Sequence, residues 1–238
     1  MKKHFLLLVL FGFSTMFSID TVRQAHLFFE QNDYQKAVEL YQSIENKDAT
    51  IWFNIGQCYY AQEQFFDALL SFKKAQKTSY GFRYLTIEEH IKKVEAHLQL
   101  LKSQSTISII FSAVKKYCLV VPPIVWQVIF IFLWYLILAL LWLSYKIFDK
   151  SFVALLFCLM ISGGGLTVFY TTMHSRQAIA KYSDVALYAG TDERFFKKAV
   201  IALGEPVIIE KSDNNWHKVT CSAGTGWLDS DKIEEITT

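Results

Sequence analysis

The chemically versatile side chains of this sequence are few, and their spacing does not bring them together. His90 and His97 follow Glu88 and Glu89 in a stretch of helical periodicity. Seven residues are two helical turns, so the two imidazoles stand ~10 Å apart, too far to share one zinc ion. Cys58, Cys118, Cys158 and Cys221 form no Cys-x-x-Cys pair, so neither a zinc site nor a disulfide framework is expected. His217 lies beside Trp216 on an alternating stretch, where it is expected to face solvent. Ser162-Gly163-Gly164-Gly165 lacks the lysine and the strand-to-helix setting of a phosphate loop. No nucleophile–base pair is visible. The expectation is a protein that is not an enzyme and uses no cofactor or metal.

Charge narrows the choice further. Residues 20–102 carry 10 basic and 11 acidic side chains, and residues 184–238 carry 6 and 10. Neither part has the basic face that nucleic acid would need. The net charge of +2 comes from Lys2, Lys3 and residues around two apolar runs: Lys115, Lys116, Lys146, Lys150, Arg176 and Lys181.

Those runs organise the chain. Residues 124–145 and 152–170 contain no charge. As helices they measure ~33 and ~28 Å, enough for a hydrocarbon core of ~30 Å. The short charged gap between them cannot hold a domain. The expectation is a transmembrane hairpin with spans 122–146 and 152–173 around a turn at 147–151. Glycines at mid-span would let helices approach closely. Neither apolar run carries a charged residue, which disfavours an ion path. Two crossings return the chain to one side, so the segments before and after the hairpin share a compartment.

Residues 1–19 read as a secretion signal: Met1-Lys2-Lys3, then an apolar run over 5–13. Cleavage and retention as a signal anchor both remain open, since Met16 and Ser18 make a poor cleavage site. Either outcome exports residues 20–102 to the periplasm or cell exterior. The lysines and arginine flanking the spans, counted strictly, argue for the opposite orientation; the signal takes precedence over them. Residues 103–121 form either a linker or an amphipathic helix with Ile107, Ile110, Phe111 and Val114 on one face. A second linker is expected over 174–183.

In residues 20–102, Trp52, Ile55, Gly56, Tyr59, Ala68 and Phe72 meet the tetratricopeptide pattern. Glu63 stands at a turn where Gly is usual. A weaker copy precedes it at an offset of 31: Ala25, Phe28, Asn32-Asp33-Tyr34, Ala37 and Tyr41. A further helix is expected over 86–101. Such an array recognises partners along the concave face of its first helices. That face is expected to show Arg23, His26, Phe29, Phe53, Asn54, Gln57 and Tyr60. The alternative, that these residues only cover neighbouring helices, stays open.

After residue 184 the pattern alternates, and five short strands are expected: 185–188, 199–203, 207–209, 216–220 and 226–228. This suits an SH3-like barrel. Trp216 is a candidate for a peptide groove or for core packing, and Trp227 for the core. The fold class is thus a multidomain membrane protein: an all-α tetratricopeptide array, a two-helix transmembrane hairpin and an all-β SH3-like barrel.

That order of parts resembles the BatE-type proteins of the Bacteroides aerotolerance operons. The resemblance rests on Asn32-Asp33-Tyr34-Gln35-Lys36-Ala37, Trp52-Phe53-Asn54-Ile55-Gly56, and Asn215-Trp216 with Gly226-Trp227-Leu228. It implies a membrane-bound scaffold working beside membrane proteins with von Willebrand factor A domains and, indirectly, a MoxR-type AAA ATPase. The implied physiology is oxidative-stress tolerance or envelope maintenance. A reading from the barrel alone is an envelope sensor that binds peptidoglycan or a peptide.

Overall fold

A computed structural model of the protein describes residues 20–99, 113, 116–143 and 150–237. The expected signal over 1–19, the helical face formed by Ile107, Ile110, Phe111 and Val114, and most of the hairpin turn lie outside the described residues.

The N-terminal region is helical: α1 (residues 20–30), α2 (Tyr34–Gln42), α3 (Ala49–Ala61), α4 (Phe65–Lys77) and α5 (Phe82–His97). Local chemistry sets the boundaries. Asp33 and Asp48 cap α2 and α3, accepting from the backbone N–H of Lys36 and Ile51. The turns after α1 and α3 are copies 31 residues apart. Asn32 (φ 62°) and Glu63 (φ 60°) take the left-handed conformation. In each turn that residue's N–H bonds three residues back, and the next N–H bonds five back: Asn32 to Phe29 and Asp33 to Phe28, then Glu63 to Tyr60 and Gln64 to Tyr59. This is a Schellman closure. Gln99 (φ 56°) ends α5 with the same short bond, to Ala96.

Two apolar clusters hold the helices. One joins Ala25, Ala37, Tyr41, Ile51, Ile55 and Cys58. The other joins Ala68, Leu69, Phe72, Ala75, Ile87, Ile91 and Val94. Trp52 and Tyr59 touch both. Gly56 lies flat on Phe72; a Cβ there would stand 2.6 Å from the ring. The repeat needs a residue without a side chain at that crossing.

The apolar part is a separate unit of the fold. A short helical stretch, α6 (residues 116–120), leads to α7 (Pro123–Leu143) and α8 (Lys150–His174). The segment Leu155–His174 is long and apolar enough to cross a membrane, and only 11 % of its most apolar stretch is buried. The apolar run Pro123–Ala139 of α7 is shorter. The two helices meet closely, with the Cα of Gly165 facing the Trp126 ring and Gly163 facing Phe130. Ser162, Thr167 and Thr171 donate their hydroxyls to carbonyls of their own helix, which removes unpaired donors from an apolar surface.

The C-terminal region is an antiparallel sheet: β1 (Gln177–Ala180), β2 (Val185–Tyr188), β3 (Lys197–Ile201), β4 (Pro206–Asp213), β5 (Trp216–Cys221), β6 (Gly224–Asp229) and β7 (Ile233–Glu235). The order is β3-β2-β6-β5-β4-β1-β7. Alternate residues Val185, Leu187, Val207, Ile209, Val219 and Leu228 form its core. The sheet begins earlier than expected, because Gln177–Ala180, in the stretch expected as a linker, pairs with both β4 and β7. β3 sits two residues earlier than the expected 199–203, since its register is set by β2 pairing Val185 with Ile201.

The helical residues up to Thr78 and those of α5 from Ile87 on belong to one unit with the sheet. The Lys77 ammonium donates to the Ile236 carbonyl at 2.9 Å. Burial lowers the pKa of Lys74 and raises that of Asp67, and nearby Glu234 acts on both.

Candidate functional site

The odd-numbered helices bring the expected recognition residues together. A cleft of about 210 Å³ is lined by His26 and Phe29 of α1, Tyr41 of α2, and Phe53, Asn54 and Gln57 of α3. Their spacing explains this. Positions 26 and 29 on α1, and 53, 54 and 57 on α3, share a face by the three- and four-residue helical periods.

The polar groups of the cleft are held in place. Asn54 Nδ2 donates to the Tyr41 hydroxyl at 3.3 Å. Gln57 Nε2 lies 3.2 Å from His90 Nε2 on α5. The Phe53 ring meets His90 edge-on, centroids 4.9 Å apart. Burial raises the pKa of the Tyr41 phenol, with nearby Cys58 adding to the shift, so the hydroxyl stays protonated. Among the described residues no Asp, Glu, Lys or Arg lines this cleft. The lining offers amide and hydroxyl groups between aromatic walls, which suits a neutral, extended peptide segment whose backbone can meet Asn54 and Gln57.

Two of the expected residues lie elsewhere. Arg23 is exposed and pairs with Asp20 at 2.8 Å. Tyr60 is occupied by its neighbours: its hydroxyl lies 3.2 Å from His97 Nε2, and its ring packs edge-on against Phe65. Phe65 and His97 stack at 4.4 Å. Three residues join the picture that the sequence pattern assigned otherwise. Tyr41 stands at the core position of its repeat, yet its hydroxyl reaches the cleft. His90 and His97, too far apart for one metal ion, instead fill successive places along α3.

The sheet carries a second aromatic group on its outer face. Trp216 and Tyr188 meet edge-on at 5.7 Å, and Lys197 stands 5.9 Å from the Tyr188 centroid. Trp227, expected in the core, pairs across the ladder with Tyr188 and Lys218, while its strand neighbours Gly226 and Leu228 turn inward. His217, expected to face solvent, is also a correction. It shares the inner side of β5 with fully buried Val219, and its side chain is only 12 % exposed. Both corrections have one cause: the ladder puts even-numbered residues of β5 outside, and Trp227, paired with Lys218, joins that face while His217, paired with Leu228, turns inward.

Among the described residues no group of three His, Cys, Asp or Glu side chains is placed to hold a metal ion. Cys58 is buried, and burial pushes its thiol up to about 11, far from a reactive thiolate.

No family model matches the chain, and no curated protein does. Among solved structures, the chain is similar to the C-terminal SH3 domain of myosin IB from Entamoeba histolytica. The identity is 21 %, the match covers 26 % of this chain and 95 % of that one, and the TM-score is 0.20. A likeness at that level carries no functional inference.

Proposed function

We propose that the protein is a non-enzymatic, membrane-anchored scaffold that holds a protein partner in the cleft between α1 and α3. The observation that carries this reading is the cleft itself: aromatic walls, fixed amides and no carboxylate or ammonium among the described lining residues. In this reading the helical region is a tetratricopeptide array. Its support is the pair of Schellman turns 31 residues apart and the Gly56–Phe72 crossing. The sheet is read as an SH3-like barrel, supported by its strand order. The apolar helices are read as a transmembrane hairpin. The support for two crossings is parity. The bond from Lys77 to Ile236 supports reading both regions as sharing one compartment. A membrane between residues 78 and 176 must then be crossed an even number of times, and a crossing by α8 needs α7 beside it.

The partner chemistry matches the cleft: a neutral, extended segment of a membrane or exported protein. The BatE-type resemblance points to membrane proteins with von Willebrand factor A domains and, through them, a MoxR-type AAA ATPase. On that reading the chain serves aerotolerance or envelope maintenance from the inner membrane, with both regions outside the cytoplasm. A second reading, an envelope sensor that binds peptidoglycan or a peptide, is favoured by the outer aromatic pair of Trp216 and Tyr188.

Co-purification from detergent extracts separates the two. The double variant Asn54→Ala/Gln57→Ala removes two hydrogen-bonding groups of about 1 kcal/mol each, so recovery of the partner should fall about tenfold or more. Trp216→Ala should leave it unchanged. The reverse pattern, or recovery of wall polymer in place of a membrane protein, favours the sensor.

A further inference from the structure

The loop between β2 and β3 carries an aromatic tip that the cleft and the sheet core do not use. Phe195 is 52 % exposed and Phe196 is 77 % exposed, with Arg194 before them and Lys197 and Lys198 after. The loop is a built structure. Ala189 N–H donates to the Phe196 carbonyl at 3.0 Å, and Phe195 N–H to the Asp192 carbonyl at 3.1 Å. Asp192 accepts from the Arg194 backbone and from two guanidinium nitrogens. The Phe195 ring lies on Gly190, where a Cβ would stand 2.8 Å from it. Phe195 packs one side of its ring on its own loop and Phe196 stands largely exposed, so the two together make an apolar tip.

The ladder shows which end of the sheet they occupy. Tyr188, the last residue of β2, pairs with Trp227, which pairs with Lys218, which pairs with Lys211. Lys211 lies three residues beyond Ile208, the partner of Gln177 at the start of β1. The aromatic loop thus leaves the sheet at the end where β1 begins. Arg176 marks that end, donating to the Ser212 hydroxyl at 2.8 Å. Only Ser175 and Arg176 separate α8 from β1. Fully extended, that tether spans about 10 Å.

From this we infer that the Phe195–Phe196 loop inserts into the interface of the bilayer that α8 crosses and docks the sheet on the lipid. The inference rests on the membrane reading of α8. The tether keeps the loop within reach of lipid at high effective concentration, so two rings suffice where a free domain would need more. Phe side chains suit the boundary between the headgroups and the acyl chains. Lys197 and Lys198 can lay their stems along the apolar boundary and keep their ammoniums in water. Arg194 is already neutralised by Asp192, and Glu193 is adjacent. The docking therefore does not depend on anionic lipid.

The test uses the full chain in phosphatidylcholine nanodiscs, with one environment-sensitive fluorescent amino acid per variant and lipids bearing a nitroxide quencher, shallow for positions 196 and 202 and deep for position 160. The probe takes the place of Phe196, of Met160 within α8, or of Ala202 in the exposed β3–β4 connection at the opposite end of the sheet. Quenching at 196 and 160, with 202 unquenched, is the expected result. Phe195→Ser should weaken insertion of the loop about tenfold and reduce quenching at 196 accordingly, since the remaining native ring is gone. Quenching at 160 without quenching at 196 overturns the loop inference and leaves the membrane reading intact. Loss of quenching at 160 removes both. A blue-shifted but unquenched probe at 196 assigns the loop to a protein contact and also overturns the inference.

Discussion

Between α1 and α3 a cleft stays open, while between α3 and α5 the corresponding space is filled. Residues align at an offset of 31 from α1 to α3 and 36 from α3 to α5, as the matching turn bonds of Gln62 to Cys58 and Leu98 to Val94 show. In the second gap Gln57 meets His90, and Tyr60 meets His97. The equivalent pairs in the first gap are His26 with Asn54, and Phe29 with Ala61. Asn54 is drawn to Tyr41, and His26 stands 3.4 Å from Glu30 of its own helix. Ala61 has no ring to offer. One backbone plan gives a filled groove or an open one according to four side chains, so the cleft is written in positions that the repeat pattern leaves free.

The sharpest way to break the likeness between the pairs is at their crossings. Gly56→Ala should cost about 2 kcal/mol, because the new methyl overlaps the buried Phe72 ring. At the matching position Ala25→Gly should cost only about 1 kcal/mol, from helix propensity. Hydrogen exchange of α3 and α4, compared with α1 and α2, measures both. Equal losses would mean that the two crossings do not differ.

A smaller effect of opposite sign is expected at the turns. Glu63→Gly should stabilise the second pair by about 1 kcal/mol, since it relieves a left-handed glutamate. Asn32→Gly should change stability by only a few tenths, because Asn tolerates that conformation. Thermal unfolding of the two variants in detergent gives the comparison.

The smallest difference is one of acidity. The Lys36 side chain, hydrogen-bonded to Asp33, holds the Asp33 carboxyl below its ordinary 3.8. A depressed folded value contributes stability above the unfolded pKa and loses it as pH falls through the folded one. Protection of the first turn of α2 should therefore be flat above about pH 5 and fall in stronger acid. Lys36→Met should bring that fall to higher pH; an unchanged profile would remove Lys36 from the cap.

The helical region was legible because its signals are local. Trp52, Gly56, Tyr59 and Phe72 meet within one helix pair, and turn chemistry at Asn32 and Asp33 marks the boundary. Five cleft residues followed from helical period alone. Tyr41 and His90 did not, since which neighbour a side chain bonds is decided by packing between helices. The sheet was legible in its hairpins and not in its distant pairings. Gln177–Ala180 is short and alanine-rich, and becomes a strand only through partners around Ile208 and Glu235. The inward His217 and outward Trp227 share that origin, because the face of an alternating strand is fixed by its partners.

The bond between Lys77 and Ile236 also bears on how the chain assembles. The helix pairs close within about one repeat, whereas this contact spans 159 residues. The longer closure costs about 1.4 kcal/mol more in chain entropy, and both apolar helices lie inside the loop it closes. Early helical folding followed by late docking is the order such a loop favours. During synthesis the helical region emerges first and waits with the flank of α4 uncovered. The sheet can reach Lys77 only after α7 and α8, which precede it in the chain, have been synthesised.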